Sequence, residues 1–266
     1  MRRETVALTI AGSDSGGGAG IQADIKTFSA CGVFGASVIT AITAQNLEGV
    51  SAIQPVNPEV VSAQLEMVLD GFPVRAVKTG MLFSREIIEI VAGILQGHPE
   101  IPIVVDPVFA ATSGSRLIRE DAVSALVELL FPRALLVTPN LPEAEILLGE
   151  KGIGVEDMGS AATRLRKKLG VNVLLKGGHL KDTALDVLAT DRGVRTFEIP
   201  RVEGVNSHGS GCTFASAVAA FLARDFSLEA AVEAAKEYTT RTLIYSLPLK
   251  NGLQVMNHFW RFSEYQ

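Results

Sequence analysis

Short apolar runs alternate with helical patterns along almost the whole chain, and no other feature limits its fold as strongly. VALTIAG (6–12), ASVITAIT (36–43), AVKTG (76–80), IVVDP (103–107), LLVTPN (135–140) and NVLLKGG (172–178) read as strands. Several are apolar at consecutive positions, as strands buried on both faces are. Between them, residues 21–30, 58–69, 85–96, 120–130 and 160–169 carry helical spacing. Repeated βαβ units of this kind build a mostly parallel sheet covered by helices. Residues 184–190 and 194–199 flank Asp191-Arg192-Gly193 and predict a hairpin. Two or three more helices are expected to finish the chain, starting at Gly211 and Leu228. No linker and no solenoid period interrupts the 266 residues. The expectation is one α/β domain over 1–266, a three-layer α/β/α sandwich.

Composition narrows the function. Apolar residues make up 47% and the net charge is -5, which argues against a nucleic-acid partner. The one basic cluster, 164–168, falls at a helix C-terminus, where cations suit the dipole. No apolar stretch approaches a membrane span. The apolar run after Arg2-Arg3 breaks early at Gly12-Ser13-Asp14, too soon for a secretory signal. Two distant cysteines, Cys31 and Cys212, form no disulfide framework, and a reducing cytoplasm is expected.

In sheets of this kind, ligands sit beyond the carboxyl ends of the strands. Polar or glycine-rich punctuation follows six of the strands: 12–20, Gln45-Asn46, Gly80-Met81, Asp106-Pro107, 140–143 and 176–179. The first cluster, GSDSGGGAGIQAD, lacks the Lys-Ser/Thr of a P-loop. It also lacks the acidic residue that a dinucleotide site wants about 20 positions on. It suits a small substrate better, with Asp14 and Asp24 as acceptors beside bare backbone. The later cluster, Gly209-Ser210-Gly211-Cys212, runs straight into an Ala-rich helix. Amides at a helix start, with about half a positive charge of dipole, make an anion hole for a transferring phosphoryl group.

Cys212 in the first turn is expected to have a lowered pKa and to serve as base or nucleophile, or else to be a small packing residue. Cys31 has no such setting and reads as core. Lys176 closes an apolar strand, a costly place for a cation unless it meets an anion. His179 and His208 have no partner at metal-ligand spacing, so zinc is not expected.

AGSDSGGGAGIQADIKTF, VVDPVFAATSG, TPNLPEAE, LLKGGH and NSHGSGCT, in this order, resemble the hydroxymethylpyrimidine/phosphomethylpyrimidine kinases of thiamine biosynthesis. That family is ribokinase-like, and the resemblance covers nearly the whole chain. It implies two ATP-dependent transfers, first to 4-amino-5-hydroxymethyl-2-methylpyrimidine and then to its monophosphate. Cys212 would be the base in an anion hole of Gly209, Ser210 and Gly211. Asn140 and Glu143 match the N-x-x-E element, with Glu143 and Asp106 placing Mg²⁺. Asn140 also reads as a helix N-cap, and both roles are compatible.

By the same resemblance, Lys176 would reach the ATP phosphates. Gly12, Asp24, Gln45, Met81 and Val108 would hold the aminopyrimidine, with the Gln45 amide offering both a donor and an acceptor. Phe109 is larger than the resemblance leads one to expect. A homodimer is implied as well. A pyridoxal kinase of the same subfamily is the nearest alternative. A non-catalytic binding protein and a dehydrogenase fit less well. Residues 149–154 and 181–183 are the polar segments where a covering loop would be sought.

Overall fold

The computed structural model describes residues 5–109, 120–178, 183–200, 202, 204–249 and 252–265. The second half of VVDPVFAATSG, His179 and residues 181–182 lie outside them. The first half of the chain contributes β1 (Val6–Asp14), α1 (Gly20–Ala30), β2 (Phe34–Gln45), β3 (Val50–Pro55), α2 (Pro58–Gly71), β4 (Val74–Thr79), α3 (Arg85–Gln96) and β5 (Ile103–Val105). Then come α4 (Glu120–Ala125), β6 (Leu136–Val137), α5 (Leu141–Leu148), α6 (Met158–Leu169) and β7 (Asn172–Lys176). The hairpin β8 (Thr183–Thr190) and β9 (Gly193–Pro200) follows, then α7 (Ser210–Ala223) and α8 (Leu228–Ile244).

The strands form one sheet in the order β3-β2-β1-β4-β5-β6-β7-β8-β9. From β2 to β7 every pairing is parallel, while β3 and β8 run antiparallel to their neighbours. Alternate strand residues feed two apolar layers. Leu8, Ile10, Val77, Val105 and Val137 pack under α2, α3, α5 and α6. Ala7, Ala76, Val104, Leu136 and Leu174 pack against α7 and α8, with Phe28 of α1. The mostly parallel sandwich read from the sequence is therefore the one that forms.

Three local differences have physical causes. β3 shows no apolar run because it is an edge strand with four of its six residues exposed. β5 and β6 stop before the positions expected, just ahead of Pro107 and Pro139, neither of which can donate to a ladder. The helix expected over 120–130 ends as α4 at Ala125 and continues as a π turn, Leu126–Leu130, into a short 3-10 turn that contains Pro132.

Candidate active site

The carboxyl ends of the parallel strands open into a cavity of about 280 Å³. Its floor is charged. Asp106, just after β5, sits opposite Lys176, the last residue of β7, with Nζ and Oδ1 2.6 Å apart. Thr138 Oγ1 donates to the same Asp106 oxygen at 3.0 Å. Burial would raise the Asp106 carboxyl, but Lys176 and Lys78 outweigh it and hold the group below its ordinary value. Lys176 is correspondingly raised, because Asp106 and Glu143 more than offset its burial.

Glu143 lies on the same wall and closes a capping box. Asn140 Oδ1 accepts from the Glu143 amide at 2.9 Å, and Glu143 Oε2 accepts from the Asn140 amide at 2.8 Å. Burial, with the Asp106 carboxylate adding to it against the pull of Lys176, pushes Glu143 up to about 7.

The glycine-rich start of α7 meets this charged floor. Gly209, the N-cap, has φ +81° and supplies no capping side chain. A Cβ there would overlap the carbonyl oxygen of Gly18, so the two glycine segments touch backbone to backbone. Helix geometry leaves the Gly211 and Cys212 amides without intrahelical acceptors. The Lys176 ammonium abuts Gly211, 3.3 Å from where a Cβ would stand. A fixed cation and the end of a helix dipole thus converge on one spot, which suits a multiply charged phosphate.

Cys212 is on the cavity wall in the first turn of α7. The lowered pKa expected for it is overturned. Burial pushes the thiol up to about 11, and the nearby Lys78 offsets only part of this. The helix amides favour a thiolate, but removal from water costs more.

One end of the cavity is lined by Ala19, Gln45, Val108 and His208. The far end is lined by Ala184, Pro200, Val202, Val205, Phe214 and Leu243, a largely apolar slot. Asp186 and Lys236 pair beside that slot at 2.6 Å.

The family model for phosphomethylpyrimidine kinase matches residues 14–257. The chain belongs to this family. It is 48% identical over 262 residues to the hydroxymethylpyrimidine/phosphomethylpyrimidine kinase of Rhizobium meliloti, covering 97% of this chain and 98% of that one. It is also 50% identical over 252 residues to a thiamine biosynthesis bifunctional protein of Geobacter sulfurreducens, of whose length it spans 51%. Among solved structures, the pyridoxal kinase of Bacillus subtilis in an ADP complex superposes with a TM-score of 0.87 at 38% identity, covering 96% of this chain and 97% of that one. The phosphomethylpyrimidine kinase of Clostridium difficile gives 0.78 at 42% identity, covering 89% and 98%. The fold of this phosphomethylpyrimidine kinase family member is ribokinase-like, as its motifs implied.

Of the residues singled out in the sequence, Cys212, Gly209, Ser210, Gly211, Asn140, Glu143, Asp106, Lys176, Gln45 and Val108 share the one cavity. Gly12 and Met81 stand a layer back, with the Met81 side chain against Gly12 and packed with Ala41 and Val108. Asp24 does not line the cavity. It is fully buried, and its carboxylate accepts from Lys78 at 2.8 and 3.0 Å, from Thr9 at 2.6 Å and from Ser216 at 2.6 Å. Its acidity neutralises Lys78, which is also fully buried. Burial alone would lower the Lys78 ammonium, and the Asp24 carboxylate holds it raised instead.

Two features escaped the sequence reading. A lone histidine carries no local signal, so the sequence alone assigns His208 no role. Lys78 looked like an ordinary strand residue in AVKTG, although a lysine inside an otherwise apolar central strand is itself a sign of a buried partner.

Proposed function

We propose that this chain phosphorylates 4-amino-5-hydroxymethyl-2-methylpyrimidine with ATP and then phosphorylates the monophosphate to the diphosphate, supplying thiamine diphosphate synthesis. The family and its full-length relatives support the substrate. One observation carries the chemistry: the Lys176 ammonium and the uncapped start of α7 converge on a single point of the cavity. Charge develops on a transferring γ-phosphoryl group, and donors fixed at that place stabilise it.

In this reading the adenine lies in the apolar slot beside Phe214 and Leu243, and Asn140 and Lys176 face the phosphates. The pyrimidine lies against Val108 and Gln45, backed by Met81 and Gly12. Asp106 and Glu143 are two carboxylates on one wall. Among the described residues no group of three His, Cys, Asp or Glu is spaced to hold a metal. The pair fits Mg²⁺ that keeps its waters and takes its other ligands from phosphate oxygens. So bound, the ion would neutralise phosphate charge while Asp106 and Glu143 held its water shell.

Cys212 receives the hydroxyl proton in the first transfer. Its thiol must ionise first, and Lys78 and the α7 amides favour that ionisation. In the second transfer the acceptor is already an anionic phosphate oxygen, so no base is required. Cytoplasmic work in one domain, as a homodimer, completes the proposal. Among the described residues no helix is long and apolar enough to cross a membrane.

Product analysis with ATP, Mg²⁺ and the aminopyrimidine alcohol tests the reading: monophosphate should appear first and diphosphate after it. Cys212→Ser should slow the first transfer far more than the second. Equal losses in both, measured separately, would remove the base role. Pyridoxal phosphorylation is a second reading, favoured by the 0.87 TM-score to a pyridoxal kinase. Turnover of the two alcohols side by side decides between them.

A further inference from the structure

The Nε2 atom of His208 faces two partners at once. It lies 3.2 Å from Asp14 Oδ2 and 3.3 Å from the Gln45 side-chain nitrogen. Asp14 also accepts from the amides of Gly16, Gly18 and Ala19. Burial would raise Asp14, but the His208 hydrogen bond and the Ala19 and Gly16 amides together hold it lowered. Asp14 is thus a carboxylate that can only accept, so His208 Nε2 must carry the proton. That proton would then point at an amide NH₂, donor against donor.

Turning the Gln45 amide over resolves the conflict, because the two ends of an amide are nearly isosteric. Its oxygen then shares the one His208 Nε2–H with Asp14 Oδ2 in a bifurcated hydrogen bond, with acceptors at 3.3 and 3.2 Å. Its nitrogen donates to Thr43 Oγ1, 3.2 Å from the Gln45 end that faces it. Thr43 is free to accept, since its own proton goes to the Ser13 carbonyl at 2.8 Å. Every group in the chain Asp14, His208, Gln45, Thr43, Ser13 is then satisfied in one arrangement.

The ring is held firmly enough to impose this order. Its side chain is only 12% exposed, its backbone amide donates to Asn206 Oδ1 at 2.8 Å, and a Cβ on Gly18 would stand 2.8 Å from its Cδ2.

We propose that His208, anchored by Asp14, is a specificity-determining positioning residue: it fixes which way the Gln45 amide faces and so which heteroaromatic alcohol the pocket accepts. An aminopyrimidine presents an amino donor beside a ring-nitrogen acceptor. A primary amide of fixed orientation matches that pair in one order only. A hydroxypyridine aldehyde presents a different sequence of groups along the same edge. The inference rests on Gln45 contacting the ring, as proposed above.

The test compares kcat/KM for 4-amino-5-hydroxymethyl-2-methylpyrimidine and for pyridoxal. His208→Leu removes the donor, whereas His208→Gln keeps an N–H near the Nε2 position. The Leu variant should reduce the pyrimidine preference about five- to tenfold, mainly through KM, and the Gln variant should restore most of it. In a Gln45→Leu background, His208→Leu should change the preference no further. If Gln45→Leu alters the preference and His208→Leu does not, the His208 role is overturned while ring contact by Gln45 stands. If neither alters it, ring recognition by Gln45 itself has failed.

Nitrogen-15 NMR of the unsubstituted protein gives a readout independent of turnover and of variant folding. A His208 ring protonated at Nε2 is expected, and one protonated at Nδ1 alone overturns the proposal.

Discussion

Asp24→Asn is the most informative single substitution, because a ligand-binding aspartate and a buried counter-ion respond to it in opposite ways. Asp24 and Lys78 are both fully buried, with oxygen and nitrogen 2.8 Å apart. Asparagine preserves the shape and leaves one of Thr9 and Ser216 its acceptor while the other meets an NH₂, and it strips the Lys78 ammonium of the buried countercharge that it hydrogen-bonds. Breaking a buried pair from one side costs about 3–5 kcal/mol. A chain of this size loses about 2–4 °C of melting temperature per kcal/mol, so a fall of about 6–20 °C is expected. Adding Lys78→Met removes the stranded charge and should recover most of the loss, with a coupling of at least about 2 kcal/mol between the two sites. Thermal and urea melts of the two single variants and the double measure this. At a temperature where Asp24→Asn is folded, its KM for the aminopyrimidine should match that of the parent. An unchanged melting temperature together with a raised KM would refute the argument, since Asp24 would then be touching substrate.

Further expectations follow from the same geometry. With its thiol pushed up to about 11, Cys212 should alkylate about tenfold faster per pH unit from 7 to 9 with iodoacetamide; peptide mass spectrometry separates it from Cys31, whose thiol burial pushes up to about 12, and a plateau below pH 9 would contradict the burial argument. The first phosphoryl transfer should speed up over the same range, while Cys212→Ser should flatten that slope. Gly209→Ala must escape φ +81° and the Gly18 carbonyl, so a loss in kcat of about a hundredfold is expected, and a variant with near-parental kcat would show that the backbone contact yields at no cost. His258 is lowered to about 4, chiefly by burial and then by Lys26. The unfolded chain therefore binds this proton first, so His258 contributes a loss of up to about 3 kcal/mol as pH falls from about 6.5 to 4. Glu143, raised to about 7, works in the opposite direction over much of this window, so the loss is read as the difference in urea stability between the parent and His258→Gln, which should shrink as pH falls from about 6.5 to 4.

The layers of the sandwich were legible because the central strands are apolar on both faces and the helices carry clean spacing and caps. Asn57 and Ser84, for example, cap α2 and α3. The hairpin announced itself through Asp191-Arg192-Gly193. β3 did not, since an edge strand needs no apolar pattern. In the site, Asp106, Glu143 and Lys176 stood out as charged residues at strand and helix ends. For Cys212 the sequence predicts the wrong acidity, because it displays the amides beside the thiol but not how far the thiol is removed from water. Asp24 misled in the reverse sense: beside a glycine loop it reads as a ligand contact, and only the register of β1 and β4 with α1 and α7 shows that it neutralises Lys78. His208 became meaningful only when a segment 194 residues from Asp14 folded back against it.

The contact of Gly209 on Gly18 has a consequence for redesign. The stretch proposed to cradle the acceptor and the stretch proposed to cradle the migrating phosphoryl lean on one another without intervening side chains, so neither is a free-standing module. A specificity loop transplanted from a related kinase into residues 12–20 would have to bring its own 206–212 partner, and a chimera exchanging just one of them should bind its ring while failing to turn over.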